Sequence, residues 1–246
     1  MNTTVAFLAQ TMAIFMGFFT RVVFTRTLSE GYVGINGLFT DILNILSLSE
    51  LGVGTAITYA LYAPIARRDI KKQQILMRMF RNFYRITAGF VLLAGLCLIP
   101  FLDILMKDRP DVNHLIIIYL LYLLNSVVSY LLIYKKTLVD AHQMNYITVM
   151  YHNGFLVLQD ILQIMVLFLT RNFILFLVIA VVCTIIGNIC MSRKADRLFP
   201  YLKEPCKEQL PQEERHDILR NVKATLMHKI GNVVVNNTDN LLISSF

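Results

Sequence analysis

Long apolar stretches recur along this sequence, and no other feature limits the fold so strongly. A bilayer core about 30 Å thick is crossed by about 20 apolar residues in a helix. Lipid satisfies no backbone polar group, and nothing here alternates like a barrel strand. The sequence therefore predicts an all-α polytopic membrane protein, with six transmembrane helices and the start of a seventh. The predicted spans are Met1–Thr20, Ile35–Ala66, Ile86–Leu102, Leu115–Tyr134, Ile147–Thr170 and Asn172–Ser192, followed by Ile230–Phe246.

The composition leaves too little charge to cover a surface that faces water. Charged residues make up 16% of the chain, against about 25% in ordinary globular proteins. The mean hydropathy of +0.59 excludes disordered, collagen-like and disulfide-stapled chains. A net charge of +7 would suggest nucleic acid in a soluble protein, but cytoplasmic loops of membrane proteins collect Lys and Arg. We therefore expect no nucleic acid partner.

The distribution of Lys and Arg predicts the orientation. With the N-terminus inside, the inner loops hold seven basic residues between 67 and 85, two at Lys135 and Lys136, and nine between 193 and 229. The excess of positive charge on that side predicts a cytoplasmic N-terminus. The five basic residues of the outer ends are Arg21, Arg26, Lys107, Arg109 and Arg171.

Three segments follow from this topology. Residues 1–192 are predicted to form a six-helix transmembrane lobe, residues 193–229 a cytoplasmic linker, and residues 230–246 the start of the seventh helix. Apolar residues at helical spacing predict an amphipathic helix over 218–226, and a basic amphipathic helix on the inner leaflet over 75–83. A chain that ends at Phe246, within the seventh helix, would stop about 24 Å into the membrane. We therefore expect a fragment, or half of something larger.

Polar residues share helix faces within the predicted spans, where charge is rare and usually marks a transport path or a partner. Small and amide residues also hold membrane helices together, so Asn44 and Gln163 fit packing equally well. Arg26 is expected to snorkel to the outer interface, whereas the deeper Arg21 favours a cavity. The main polar residues on these faces are Gln10, Arg21, Asp41, Asn44, Gln159, Asp160, Gln163, Asn236 and Asp239, with Glu50 on the opposite side of its helix.

Signatures of enzymes are missing from the sequence. It has no nucleotide-binding loop, no metal-ligand cluster, and no Ser/His/Asp set at recognisable spacing. Its cysteines form no CxxC pair and are expected to be reduced packing residues. The predicted outer loops are short, whereas a membrane polymerase or ligase needs larger ones for its acceptor. We therefore expect a transporter rather than an enzyme, with no metal or cofactor.

Several short segments resemble those of one known family, in the same order along the chain. They are Arg21-x-x-Phe24, LSEGYVGINGLFTDIL at 28–43, SLSELGVGTAI at 47–57, LYAPIA at 61–66, LVDAHQMNYI at 138–147, FPYL at 199–202 and NTDNLLIS at 237–244. The chain thereby resembles the Wzx-type exporters of the multidrug/oligosaccharidyl-lipid/polysaccharide superfamily. Members of that family tend to have an acidic residue in place of His142, and they have twelve or more helices in two lobes.

The resemblance implies one lobe of a MATE-like transporter that works by alternating access around a cationic central cavity. The implied substrate is an undecaprenyl-pyrophosphate-linked oligosaccharide, exported across the bacterial plasma (inner) membrane for capsule, O-antigen or exopolysaccharide synthesis. The implied partners are membrane lipid, this substrate and a missing C-terminal lobe.

The resemblance also implies roles for the polar residues. Arg21 would bind phosphate through its bidentate guanidinium. Glu50, Asp160 and Asp239 would couple transport to H⁺ or Na⁺, or pair with Arg21 when the site is empty. The remaining cavity residues would be Gln10, Asp41, Asn44, Gln159, Gln163 and Asn236.

Two other functions stay open. A drug or cation antiporter of the same superfamily would use the same acidic residues in a smaller, aromatic-lined cavity. A non-transporting membrane remnant is the alternative from another class, and it would tolerate the removal of charge along the polar faces.

Overall fold

The computed structural model describes residues 2–47, 53–102, 112, 114–204, 210–212, 214, 216–218, 220, 224 and 227. All regular secondary structure in these residues is helical, as predicted. Short 3₁₀ turns follow the fourth and the last helix, at Ile99–Phe101 and Pro200–Lys203. The α-helices are α1 (Asn2–Thr27), α2 (Glu30–Ser47), α3 (Val53–Ala66), α4 (Ile70–Leu98), α5 (Leu115–Leu131), α6 (Ile133–Ala141), α7 (Asn145–Thr170) and α8 (Phe173–Leu198).

Four of these helices are long and apolar enough to cross a membrane, namely α1, α4 with its 3₁₀ turn, α7 and α8. Helices α5 and α6 pass the same test together, with a bend of 42° between them, so the described residues contain four or five candidate spans. The fold is that of an α-helical, multi-pass membrane protein, and the count of six spans stays a prediction. The predicted second span, Ile35–Ala66, corresponds to α2 and α3, and residues 48–52 between them lie outside the described residues.

Helix α4 differs from the prediction, because the surface helix expected over 75–83 and the third span are one continuous helix. Asp69 caps its first turn by accepting a hydrogen bond from the backbone N–H of Lys72 at 3.0 Å. No proline interrupts the helix between its basic and apolar halves. Leu76 and Phe80 of the basic half pack in the core of the bundle. The prediction of a separate helix on the inner leaflet is therefore wrong.

Two predicted spans differ in detail. The fourth, predicted to reach Tyr134, contains a bend at Leu132, because α5 ends at Leu131 and is a candidate span only together with α6. The last span, predicted to end at Ser192, continues to Leu198, because Ala195 still packs in the core. The predicted boundary between lobe and linker therefore falls inside α8.

Parts of the predicted linker lie against the bundle. Glu214 forms an ion pair with Lys72 of α4 at 2.7 Å. Ile218 packs against the core. Most of the helix predicted over 218–226 lies outside the described residues.

The two ends of the bundle differ in their side chains. At one end α6 approaches the end of α8, where Lys135 forms an ion pair with Asp196. At the other end the rings of Phe24 and Phe173 lie 5.6 Å apart, with Tyr32 beside them. We call these the basic end and the aromatic end. The basic end contains Arg67, Arg68, Lys71, Lys72, Lys135, Lys136, Arg193, Lys194 and Arg197.

Each helix has a preferred neighbour in the bundle. Helix α1 packs mainly on α7, α7 also packs on α8, and α5 lies against both α4 and α8. Phe39 and Tyr119 are fully buried where α2 meets α5. Large apolar residues such as Phe7, Phe15 and Phe18 of α1 are exposed, as expected of a face that lipid covers.

Residues after α8 fold back onto α4. The Tyr201 hydroxyl donates to Gln73 Oε1 at 2.6 Å, and Gln74 Nε2 donates to the Tyr201 carbonyl at 2.6 Å. Gln73 Nε2 in turn donates to the carbonyl of Pro64, near the end of α3, at 3.3 Å. We call Tyr201, Gln73 and Gln74 the strap, because they join the end of α8 to the α3–α4 junction.

Candidate transport site

An open cavity of about 250 Å³ lies among α5, α6, α7 and α8, in the half of the bundle nearer the basic end. Its wall mixes polar side chains with the rings of Tyr151 and Phe155. Burying polar groups in an apolar bundle is unfavourable unless they are paired, and Ser129, Thr148 and Asn188 of this wall are hydrogen-bonded within the protein. The polar residues of the wall are Asn125, Ser129, Lys136, Thr148, His152, Gln159, Thr184 and Asn188.

The cavity lies beside a break in a helix. Helix α5 ends at Leu131 and α6 begins at Ile133, so the last carbonyls of α5 lose their partners in the next turn. The side-chain amide of Asn188 on α8 donates to one carbonyl in this turn, that of Val128, at 3.2 Å. Leu132, the residue at the break, is part of the cavity wall. The break therefore places backbone and side-chain polar groups at the same depth.

Two polar groups in the wall form no hydrogen bond or ion pair with a described residue. Asn125 Oδ1 is buried, and no described residue donates a hydrogen bond to it; an unsatisfied buried acceptor costs about 1–3 kcal/mol. Lys136 forms no ion pair within the described part of the chain, although the adjacent Lys135 pairs with Asp196 at 2.7 Å. The cavity therefore offers a ligand one acceptor and one positive charge.

Helices α1 and α7 share a polar seam outside the cavity wall. Asn153 Nδ2 donates to Gln10 Oε1 at 2.9 Å across the two helices. Nearer the aromatic end, Asp160 lies within hydrogen-bonding reach of Thr20. A Cβ atom at Gly17 would lie 4.0 Å from Asp160 Oδ2. The predicted polar faces of the first and fifth spans thus meet each other, and their interhelical hydrogen bonds join the two helices.

Arg21 lies near the aromatic end, away from the cavity. Its guanidinium carbon is 5.6 Å from the centroid of the Phe24 ring, a distance at which a cation and a ring attract. The side chain is exposed, and no described carboxylate pairs with it. Asp41 and Asn44 are exposed on α2 and do not line the cavity. Of the predicted site residues, Arg21, Asp41 and Asn44 therefore do not line this cavity.

Of the predicted site residues that the structure describes, Gln159 lines the cavity. Gln163, one turn further along α7, is 3% exposed, and its Nε2 donates to the carbonyl of Phe176 on α8 at 3.0 Å. Gln163 thus joins two helices, in agreement with the packing alternative. The predicted site residues that the described ranges do not include are Glu50, Asn236 and Asp239.

Sequence reasoning missed three residues of the cavity. Asn125 and Asn188 are amides within very apolar helices, so a search for polar residues inside the predicted spans could have found them. Single amides also commonly join membrane helices, so this signal does not distinguish a cavity residue from a packing residue. Lys136 resembles an ordinary loop charge because it follows Lys135. Among the described residues, no group of three or more His, Cys, Asp or Glu side chains could hold a metal ion.

No protein-family model, no curated protein and no solved structure matches the chain. What the cavity can bind therefore follows from its own side chains. They supply one lysine charge, several amide and hydroxyl groups, and two aromatic rings around a volume of about 250 Å³.

Proposed function

We propose that this chain forms one lobe of a transporter that carries undecaprenyl-pyrophosphate-linked oligosaccharide across the bacterial inner membrane by alternating access. The resemblance to Wzx-type flippases supplies the substrate class. The observation that supports transport is the polar cavity among α5–α8, because it lies within an apolar bundle and beside a broken helix.

The broken helix favours transport over a purely structural role. Irregular backbone at membrane depth is tolerated where it is buried in protein or lines a cavity, and transporter sites often lie at such breaks. The unsatisfied, buried oxygen of Asn125 lowers stability in the empty protein. A membrane remnant without a ligand would have no need of it.

In this proposal the basic end faces the cytoplasm, as its excess of Lys and Arg favours. The cavity then lies in the cytoplasmic half of the membrane, on the side where lipid-linked sugars are assembled. Arg21, near the opposite end, would contact the phosphates later in the cycle. Asp160, in the seam between α1 and α7, is the described candidate for coupling to H⁺ or Na⁺. A second lobe would complete the central cavity.

A strain that lacks the gene tests the proposal. Lipid-linked oligosaccharide is expected to accumulate on the cytoplasmic side, and the intact protein to restore its export. Asn125→Leu and Lys136→Met are each expected to lower the export rate about tenfold, equivalent to about 1.4 kcal/mol. Lys194→Met removes a charge that also lies at the basic end, on α8, but outside the cavity wall. This variant should therefore export normally. A deletion strain that accumulates no lipid-linked oligosaccharide would contradict the proposal, whereas full export by both cavity variants would show that the cavity is not part of the transport path.

Asp160 favours a second candidate, a drug or cation antiporter, because a carboxylate within a span can bind a cation or a proton. The deletion strain would then retain a cationic dye and would not accumulate lipid-linked sugar. In that case Asp160→Asn should abolish dye efflux, while Asn125→Leu should leave it unchanged. Normal dye efflux together with accumulated lipid-linked sugar would exclude the antiporter.

A further inference from the structure

We infer that the cavity among α5–α8 binds the head of the lipid-linked substrate, with Lys136 on its phosphate and Asn125 on a hydroxyl of its first sugar ring. The ligand class is a sugar ring joined to phosphate and attached to a lipid. The choice of this class rests on the proposed function, whereas the site itself rests on the cavity.

Lys136 is the charge that the cavity offers to an anion. The adjacent Lys135 is occupied, because its Nζ atom contacts both carboxylate oxygens of Asp196 at 2.7 Å. Asp140, one turn along α6 from Lys136, accepts a hydrogen bond from the Thr148 hydroxyl at 2.6 Å; it attracts Lys136 electrostatically but forms no ion pair with it. An ammonium group binds phosphate as a point charge, and Lys136 is positioned to do so.

Asn125 requires a hydrogen-bond donor on the ligand. Its Oδ1 atom is buried without a described partner, and an amide oxygen accepts from hydroxyl or N–H groups but gains nothing from a phosphate oxygen. An ionised phosphate alone would therefore leave Asn125 unsatisfied, whereas a sugar hydroxyl would satisfy it. Gln159, Thr184 and Asn188 add further amide and hydroxyl groups to the same wall.

The size and shape of the cavity restrict the ligand to about one sugar ring. Sites for drug-sized ligands measure about 300–1,000 Å³, whereas this cavity measures about 250 Å³. Tyr151 and Phe155 provide aromatic surface for the apolar face of a sugar ring. The Phe155 ring is held by the close approach of α8, because a Cβ atom at Gly187 would lie 3.1 Å from its Cγ. The rest of an oligosaccharide must therefore extend out of the cavity.

Cys183 provides a reporter for the test, because it lies in the wall of the open cavity, where a bound ligand would block the approach of a thiol reagent. The full chain, with Cys97, Cys190 and Cys206 changed to Ser, is reconstituted in phosphatidylcholine nanodiscs. The rate at which a small methanethiosulfonate modifies Cys183 is then measured against the concentration of a prenyl-phosphate-linked glucose. Saturation with this probe is expected to slow the modification about tenfold or more.

Variants of the wall identify the contacts. Lys136→Met and Asn125→Leu should each raise the probe concentration for half-protection about tenfold. Lys136→Arg, which keeps the charge, and Lys194→Met, which removes a charge outside the wall, should leave it within about twofold. Unchanged protection in Lys136→Met would overturn the phosphate contact. If Asn125→Leu does not fold, the comparison of Lys136→Met with Lys136→Arg still decides the question.

Two further ligands test whether the phosphate and hydroxyl groups must belong to a lipid-linked sugar. Phosphatidylglycerol combines phosphate and hydroxyls on an ordinary lipid, and glucose phosphate combines them without a lipid. Equal protection of Cys183 by either one would overturn the assignment to a lipid-linked sugar. Weaker protection by both would support it.

The outcomes for this site and for the proposed function are distinguishable. Protection of Cys183 by the probe, in a protein that exports no lipid-linked sugar, would support the site and contradict the function. Normal export by both cavity variants, without protection of Cys183, would overturn the site and leave the function standing.

Discussion

Lys135 and Lys136 are neighbours in the sequence, yet their ammonium groups meet different surroundings. Lys135 and its partner Asp196 have side chains that are only 15% and 20% exposed. The pair is therefore largely removed from water, and loss of one partner leaves the other charge poorly solvated. Lys136 instead lines the cavity. Of these two adjacent residues of α6, Lys135 thus joins two helices of the bundle and Lys136 lines the cavity.

Lys135→Met is expected to lower the free energy of unfolding by about 2 kcal/mol, because it leaves Asp196 without its ion pair. Denaturant unfolding in mixed micelles measures this change. Asp196→Asn and the double variant complete the cycle, and the double variant should lose less than the sum of the single losses. Additive losses would mean that the two side chains do not stabilise each other.

Tyr201 predicts a pH dependence of the strap. Burial raises the pKa of Tyr201 to about 12, while an unfolded tyrosine ionises near about 10. Between these values the unfolded state has lost a proton that the folded state keeps. The stability from this group is therefore complete below about pH 10 and is lost as the pH rises through about 12. The tyrosinate absorbance of the wild type minus that of Tyr201→Phe should show a midpoint near about 12; a midpoint near about 10 would indicate a solvated Tyr201.

Among the helical elements, α4 and α5 meet closely at Gly95. A Cβ atom there would lie 2.3 Å from Cδ1 of Leu123, which is 1% exposed. The Tyr119 hydroxyl donates to the Gly95 carbonyl at 2.8 Å. A residue without a side chain therefore lets α5 approach the backbone of α4.

Gly95→Ala is expected to destabilise the protein by about 1–3 kcal/mol, because the buried Leu123 must shift to admit a methyl group. Gly89→Ala is the matched control, since it lies on the same helix and a Cβ atom there has nothing within 4 Å. The control should be neutral or stabilising by up to about 1 kcal/mol, in line with helix propensity. Thermal unfolding of the two variants tests the contact. Equal unfolding midpoints would mean that Leu123 shifts without a loss of stability.

The helices that sequence reasoning predicted well are those fixed by local hydropathy. The end of α7 at Thr170 and the start of α8 at Phe173 lie within one residue of their predicted positions. Helix α4 was divided wrongly, because the change from basic to apolar residues does not by itself end a helix. The bend at Leu132 has no proline or glycine to signal it. The cavity could not be predicted, because it depends on which helices are neighbours.

For the whole molecule, the contrast between the basic and aromatic ends predicts an orientation that can be measured. Asn145 and Arg171 are exposed at opposite ends of α7. In a cysteine-free background, an impermeant maleimide should label Arg171→Cys in cells whose inner membrane is intact. Asn145→Cys should be labelled only after that membrane is permeabilised, because the positive-inside rule places its end in the cytoplasm. The reverse pattern would invert the proposed topology.

Helix α5 also predicts a response to the lipid. It has 17 residues, about 25 Å of helix at about 1.5 Å per residue, against a hydrocarbon core of about 30 Å. Mismatch of this kind costs fractions of a kcal/mol per Å. The unfolding temperature should therefore be higher in nanodiscs of shorter-chain phosphatidylcholine than in those of longer chain. An unfolding temperature that is independent of chain length would mean that the neighbouring helices shield α5.

The bend after Leu131 links this mismatch to the cavity. Helix α6 leaves at 42°, so its nine residues add less length along the axis of α5 than a straight continuation would. A thicker bilayer would favour straightening of the pair, and straightening would remove the break beside the cavity. Acyl-chain length, which sets bilayer thickness, would thereby shift the balance between a bent pair with its cavity and a straight pair without it.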